Sequence, residues 1–315
     1  MTCRRWGRGR WQIAAGGLLL LLIAACGDDP PRSDDDRPHF VTTIPPFEMI
    51  LRPLVEGRAT AEGLLAPGAS PHTYDPAPSD LRATTRATAL VSGAEPLDGW
   101  AADLPADRRL VLLDLLPPAA RLAFDPPDSG GAPAIDPHFW TDPKAVRQLL
   151  PALADTLCAI DAPGCPTYRA NADTFAAELA ALDARLRSII EPVRETPVFL
   201  AQPFFRYFLR RYGPRLVGVL KPRPGAEPTP RQLHRLIRRA RASGARAVLT
   251  QQSLSERAAR AVAEPTALPL VPLDPLGGGA GRTTYADLLL ANARILRDSL
   301  AAARSAPGSA HRPGR

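Results

Sequence analysis

The sequence predicts an α/β protein of two lobes, each a parallel β-sheet with flanking helices, joined by one long rigid linker helix. Short apolar runs alternate with helical stretches in both halves of the chain, and this alternation is typical of parallel sheets with crossover helices. Between the halves, residues 168–190 contain no glycine or proline, and their large apolar residues recur at helical spacing. Such a helix would span about 35 Å.

The first half predicts a series of strands, each followed by a helix or a loop. Ser79 is the expected N-cap residue of the helix that precedes the third strand. A loop at 117–137, rich in proline, glycine and aspartate, leads into an amphipathic helix at 142–160, in which Pro151 predicts a kink. The predicted strands are 39–45, 59–68, 89–93 and 108–116, and the first predicted helix is 46–57.

The second half repeats the strand–helix alternation after the long helix. Its predicted strands are 197–202, 215–221, 245–252 and 268–274, and its predicted helices are 203–213, 229–244, 253–265 and 283–303. The resulting domain boundaries are a signal peptide at 1–25, a disordered tether at 26–38, an N-terminal lobe at 39–166, the linker helix at 167–191, a C-terminal lobe at 192–303 and a disordered tail at 304–315.

The N-terminus predicts export and anchoring. Four arginines precede an apolar run at 13–25, which is too short for a membrane span of about 20 residues and fits a signal peptide. The run ends in "LIAAC", which resembles the lipobox of bacterial lipoproteins; the resemblance implies that Cys26 is lipidated and becomes the mature N-terminus. The acidic, proline-bearing stretch that follows predicts a tether. We therefore expect an extracytoplasmic protein anchored to the membrane, either in a periplasm or on the outer face of the cytoplasmic membrane.

Charge and cysteine content exclude some classes of partner. The net charge of +7 falls to +3 once the four arginines of the signal leave, and the remaining arginines are interpreted as a compositional bias without a basic face, so we expect no nucleic-acid partner. Outside the cytoplasm, Cys158 and Cys165 are expected to form a disulfide, because two isolated cysteines make a poor zinc site.

Two of the five histidines occur on loops with acidic neighbours. His72 lies in "APGASPHTYDPAPSD", which is too rich in proline for a helix or a central strand. His138 lies in "DPHFWTDP", directly after the long loop, and Asp274 ends a predicted strand. Ligands bind at the carboxyl ends of parallel strands, so these side chains could converge in a cleft between the lobes.

The ordered segments resemble the solute-binding lipoproteins of zinc and manganese ABC transporters, called the cluster A-I or zinc-uptake family. "PHTYDPAPSD", "DPHFWTDP", "YRANADTFAAELAALD", "GAEPTPRQLHRLI" and "LDPL" match family segments in order, over residues 39 to 302. The resemblance implies a metal bound between the lobes by His72, His138 and Asp274. The remaining ligand belongs at Gln202, where the family has histidine or glutamate.

Gln202 is the main departure from the family pattern, because an amide offers only a neutral oxygen. The departure predicts weaker binding, a different metal or a water in place of the fourth ligand. Zinc is the first expectation and manganese the second, since imidazole and carboxylate suit both ions. The loop at 117–137 lacks the histidines of many zinc-binding relatives, which removes one argument for zinc.

The resemblance implies a monomeric binding protein that delivers a divalent transition metal to an ABC permease and its ATPase. The alternative keeps the fold but has a degenerate or altered site, in a metal chaperone or an adhesin involved in cell adhesion. Enzymatic function is not expected, because a metallohydrolase needs an open metal position and a general base, and no His-Glu-x-x-His or comparable cluster is present.

Overall fold

The computed structural model describes residues 37–124, 134–221, 227–252 and 254–305, and these form two parallel four-stranded sheets. The first sheet has the order β2-β1-β3-β4 and the second the order β6-β5-β7-β8. In each sheet the first strand in chain order lies between the second and the third, so the two sheets have the same strand order. The predicted α/β class with two lobes is confirmed. The strands are β1 (His39–Thr42), β2 (Thr60–Gly63), β3 (Ala89–Ser92), β4 (Arg109–Val111), β5 (Val198–Leu200), β6 (Leu216–Val219), β7 (Ala247–Gln251) and β8 (Leu270–Leu273).

Helices cover the faces of both sheets and fill the space between the lobes. They are α1 (Pro45–Val55), α2 (Pro78–Arg86), α3 (Glu95–Asp98), α4 (Leu112–Leu115), α5 (Pro143–Ile160), α6 (Cys165–Ile190), α7 (Arg206–Tyr212), α8 (Pro230–Ser243), α9 (Arg257–Thr266) and α10 (Tyr285–Ser305). The helix expected at 142–160 is present as α5 and continues through Pro151.

Two local predictions in the first lobe were wrong. Ser79 does not cap α2: Pro78 takes the first helical position and Ala77 is the cap residue, as proline's fixed φ favours. The carboxylate of Asp80, in the first turn of α2, accepts the N–H of the cap residue Ala77 at 2.8 Å. The strand expected at 108–116 ends at Val111, and the next residues form one helical turn. An apolar run alone does not separate a strand from a buried helical turn.

The long helix α6 contributes one stripe of side chains to a core that spans both lobes. The stripe consists of Tyr168, Ala172, Phe175, Leu179, Leu182, Leu186 and Ile190, all buried. A disulfide between Cys158 of α5 and Cys165 at the start of α6 joins the two helices. Because α6 packs against α1, α5 and α10, it is part of the core shared by the two lobes.

Buried hydrogen bonds also cross the boundary between the lobes. Trp140 donates its indole N–H to the carbonyl of Pro275 at 2.8 Å, and Tyr285 donates its hydroxyl to the carbonyl of Trp140 at 2.6 Å. Both side chains are almost fully buried. Separation of the lobes here would leave buried polar groups unpaired, at a cost of about 1–3 kcal/mol each, so these contacts resist opening.

The predicted signal peptide, Cys26 and most of the predicted tether lie outside the described residues, as does most of the predicted tail. Within the described ranges, no helix is both long enough and apolar enough to cross a membrane.

Candidate metal centre

His72 lies on a short 3₁₀ turn, Pro71–Thr73, in the loop that follows β2. A hydrogen bond from outside the turn holds it in place, because Trp100 donates its indole N–H to the carbonyl of Pro71 at 2.8 Å. Nδ1 of His72 is 3.1 Å from the carbonyl oxygen of Pro96. A carbonyl only accepts hydrogen bonds, so Nδ1 carries the proton and Nε2 keeps its lone pair. His72 is thereby prepared as an Nε2 ligand.

His138 is oriented in the same way by a buried carboxylate. Nδ1 of His138 lies 2.7 Å from Oδ1 of Asp136, which also accepts the backbone N–H of His138 at 3.0 Å. Oδ2 of Asp136 accepts a hydrogen bond from Arg206 of the second lobe at 3.2 Å. Asp136 is fully buried, and a carboxylate behind a histidine fixes the tautomer and raises its basicity as a metal ligand.

Both imidazoles and Gln202 line one small cavity at the junction of the lobes. The ring centroids of His72 and His138 are 5.9 Å apart, and Gln202 follows the carboxyl end of β5 in extended conformation. The volume is about 40 Å³, which suits a bare ion with about one water and excludes an organic ligand. Prolines and phenylalanines form the remaining walls: Pro96, Pro137, Pro203, Phe124 and Phe204.

The environment of His72 keeps its imidazole neutral. Burial, and then the neighbouring His138, lower the pKa of His72 to about 4, while the hydrogen bond to Pro96 acts in the opposite direction. Metal ligation requires a deprotonated imidazole. Protons therefore do not compete for this ligand at neutral pH.

Lys221 adds a positive charge to the lining of the cavity. It follows β6, is only 8% exposed, and its Nζ lies 2.6 Å from Oε1 of Glu227. The ammonium group of Lys221 would repel a metal cation bound beside it. The ion pair with Glu227 offsets this charge and so reduces the repulsion. Sequence reasoning missed Lys221, although its place at a strand end in "RLVGVLK" could have indicated it.

Asp274 lies outside the lining of this cavity, and hydrogen bonds occupy its carboxylate. Oδ1 accepts the N–H groups of Leu276 and Gly277 at 3.0 and 2.9 Å, and Oδ2 accepts Nη1 of Arg282 at 2.8 Å. Gly277 has φ of +67°, which favours glycine in this turn. This is how an aspartate caps a turn. Across the described ranges, no group of three or more histidine, cysteine, aspartate or glutamate side chains is placed to hold a metal ion.

The low pKa of His72 predicts that its imidazole becomes protonated only in acid in the metal-free protein. NMR of the imidazole should give a midpoint near pH 4, well below the ordinary value. The unfolded chain protonates His72 at a higher pH than the folded chain does. His72 should therefore lower the free energy of unfolding progressively as pH falls from about 6.5 towards 4. In His138→Gln the pKa of His72 should rise, since one cause of the depression is gone. A midpoint near 6.5 in the unmodified chain would contradict this geometry.

Comparison with known proteins identifies the family of this chain. The family model for the periplasmic component A of the zinc-uptake complex matches residues 40–299. The manganese-binding lipoprotein MntA of Halalkalibacterium halodurans is 24% identical over 77% of this chain and 82% of its own. The zinc-uptake protein ZnuA of Paracoccus denitrificans is 26% identical over 84% and 92%.

The same fold occurs in a solved structure. A crystal structure of ZnuA superimposes with a TM-score of 0.71 at 24% identity, over 84% of this chain and all of the other. By their names, the relatives MntA and ZnuA bind manganese and take up zinc. The chain therefore belongs to the family of periplasmic zinc-uptake components, whose members are metal-binding proteins of uptake systems and not enzymes.

Proposed function

We propose that this protein is a lipid-anchored extracytoplasmic binding protein that captures a divalent transition metal and delivers it to an ABC permease. The observation that carries the proposal is the convergence of His72, His138 and Gln202 on one cavity of ionic size. Each imidazole has its Nδ1 engaged by an acceptor, so each can offer Nε2 to the ion.

The donor set favours zinc over manganese. Imidazole suits zinc, whereas manganese prefers carboxylate, carbonyl and water oxygens. With Asp274 held by Arg282 and its own turn, Gln202 supplies the protein oxygen, and a water completes a four-coordinate site. Two neutral imidazoles and an amide leave the charge of the ion uncompensated, so we expect affinity below that of a site with a carboxylate ligand.

Capture requires little motion of the lobes. The shared core along α6 and the buried hydrogen bonds of Trp140 and Tyr285 hold the halves together. The ligands already face one cavity, so metal entry needs local adjustment of the loops that carry His72 and Gln202. Release then requires the permease to separate these loops.

The test is competitive binding of zinc and manganese to the purified protein against a chelator of known affinity. We expect one metal per chain and a preference for zinc. His72→Ala should weaken zinc binding by more than the roughly 10- to 100-fold that loss of an orienting group costs. Gln202→His should strengthen it, because imidazole replaces a weak neutral oxygen.

His234→Ala is the matched control, because His234 is exposed on α8 and its loss should leave the affinity unchanged. Equal weakening by His72→Ala and His234→Ala would contradict the proposed site. Absence of binding until Gln202→His is introduced would favour the alternative, a family fold with a degenerate site.

The anchor rests on the lipobox resemblance at Cys26 and on the relative MntA, which is named a lipoprotein. In membrane fractionation the unmodified protein should sediment with membranes, and Cys26→Ala should abolish lipidation and move the protein to the soluble fraction or leave the signal uncleaved. Cys3→Ala, which changes another cysteine of the N-terminal segment, should have no effect. Normal lipid labelling of Cys26→Ala would rule out this anchor.

A further inference from the structure

A second cavity, of about 440 Å³, lies beside α7 and is lined by an unusual concentration of arginine. We call it the arginine cleft, after the five guanidinium groups in its lining: Arg194, Arg206, Arg210, Arg211 and Arg215. A single acidic residue, Glu195, is among the described residues that line it. The fold gathers these residues from three segments of the chain, which the interpretation of the arginines as a compositional bias without a basic face did not anticipate.

Two of these arginines are neutralised by buried or half-buried carboxylates. Arg211 donates to Asp183 at 2.7 and 2.9 Å and lies 3.7 Å from Asp142. Arg206 pairs with Asp136 at 3.2 Å. These two side chains have structural roles that account for their presence.

The other guanidinium groups lack such an explanation. Arg194 reaches Glu195 at 3.4 Å and Glu191 only at 4.0 Å, and more than half of its side chain is exposed. Arg210 and Arg215 are exposed and have no acidic partner within 4.0 Å in the part of the chain that the structure describes. Two uncompensated cations thus share one concave surface, and concave walls of one charge sign focus the electrostatic field.

The positive surface extends beyond the cleft. A neighbouring cavity of about 530 Å³ shares Arg194 and Glu195 with it and adds Arg246, Arg304 and the acidic Glu191. Arg304 donates to the carbonyl of Pro192, which leaves its charge uncompensated. A multivalent anion in the cleft would gain from both sets of guanidinium groups.

We propose that the arginine cleft binds a small multivalent oxyanion, a phosphate or carboxylate compound, through Arg210 and Arg215. The planar guanidinium fork matches the oxygens of both groups bidentately. The volume lies in the range of small-molecule sites, about 300–1,000 Å³, and is about eleven times that of the histidine cavity. Leu209 and Leu216 supply apolar wall for the carbon skeleton of a carboxylate ligand. The site is independent of the proposed metal function.

The test is calorimetric titration of the metal-free protein with inorganic pyrophosphate and, separately, with citrate, in phosphate-free buffer at about 0.1 M salt. At least one probe should bind one to one with a dissociation constant below about 1 mM. Pyrophosphate alone would assign phosphate chemistry, and citrate alone would assign carboxylate chemistry. The double variant Arg210→Gln/Arg215→Gln should weaken the better probe at least about tenfold, as loss of charge-assisted hydrogen bonds predicts.

The matched control removes the same charge elsewhere. Arg235 and Arg239 are exposed on α8, outside both cavities, so Arg235→Gln/Arg239→Gln should change the affinity less than about twofold. Thermal unfolding of both double variants checks that the fold persists, and Arg215→Lys should give an intermediate loss because lysine keeps the charge without the fork. Equal weakening by the two double variants, or no saturable binding of either probe, would overturn the proposal.

Discussion

The candidate metal site depends on a single buried carboxylate, Asp136. It accepts two hydrogen bonds from His138, it pairs with Arg206 of the second lobe, and its backbone carbonyl accepts the hydroxyl of Tyr207 at 3.2 Å. Removal of one partner from a buried ion pair costs about 3–5 kcal/mol. Asp136 therefore couples the orientation of a metal ligand to the contact between the lobes, so a change in lobe position would change the orientation of His138.

The repeated sheet order explains where the ligands meet. The loops after these strands leave the carboxyl edge of each sheet: His72 follows β2 and Pro96 follows β3 in the first lobe, and Gln202 follows β5 and Lys221 follows β6 in the second. The ion-sized cavity and the neutral donor atoms that line it then favour the capture of one metal ion. The charge balance differs from the simplest family expectation, because three carboxylates of this region are each paired with a cation: Asp136 has Arg206, Asp274 has Arg282 and Glu227 has Lys221.

Local patterns in the sequence predicted the parallel sheets, the long helix and the loop positions of both histidines, because each depends on periodicity or on proline. The cap of α2 was mispredicted at Ser79, because Pro78 already takes the first helical position, which places Ser79 inside the helix. Arg206 and the arginine cleft depend on contacts between residues far apart in sequence, which no local pattern encodes, whereas Lys221 was missed although it ends a predicted strand. Asp274 was expected as a ligand by resemblance; its capped turn depends on Arg282 and Gly277, so the proposed site leaves it out, and the position of bound zinc tests that expectation.

The central claim is that His72, His138 and Gln202 hold the metal while Asp274 stays in its turn. The most direct measurement is a crystal structure of the zinc-loaded protein with anomalous data at the zinc edge. We predict one strong anomalous peak about 2.0–2.1 Å from Nε2 of both histidines, with the amide oxygen of Gln202 and a water completing the coordination and with Asp274 still hydrogen-bonded to Arg282. A peak elsewhere, or a zinc ion bound by the carboxylate of Asp274, would contradict the account.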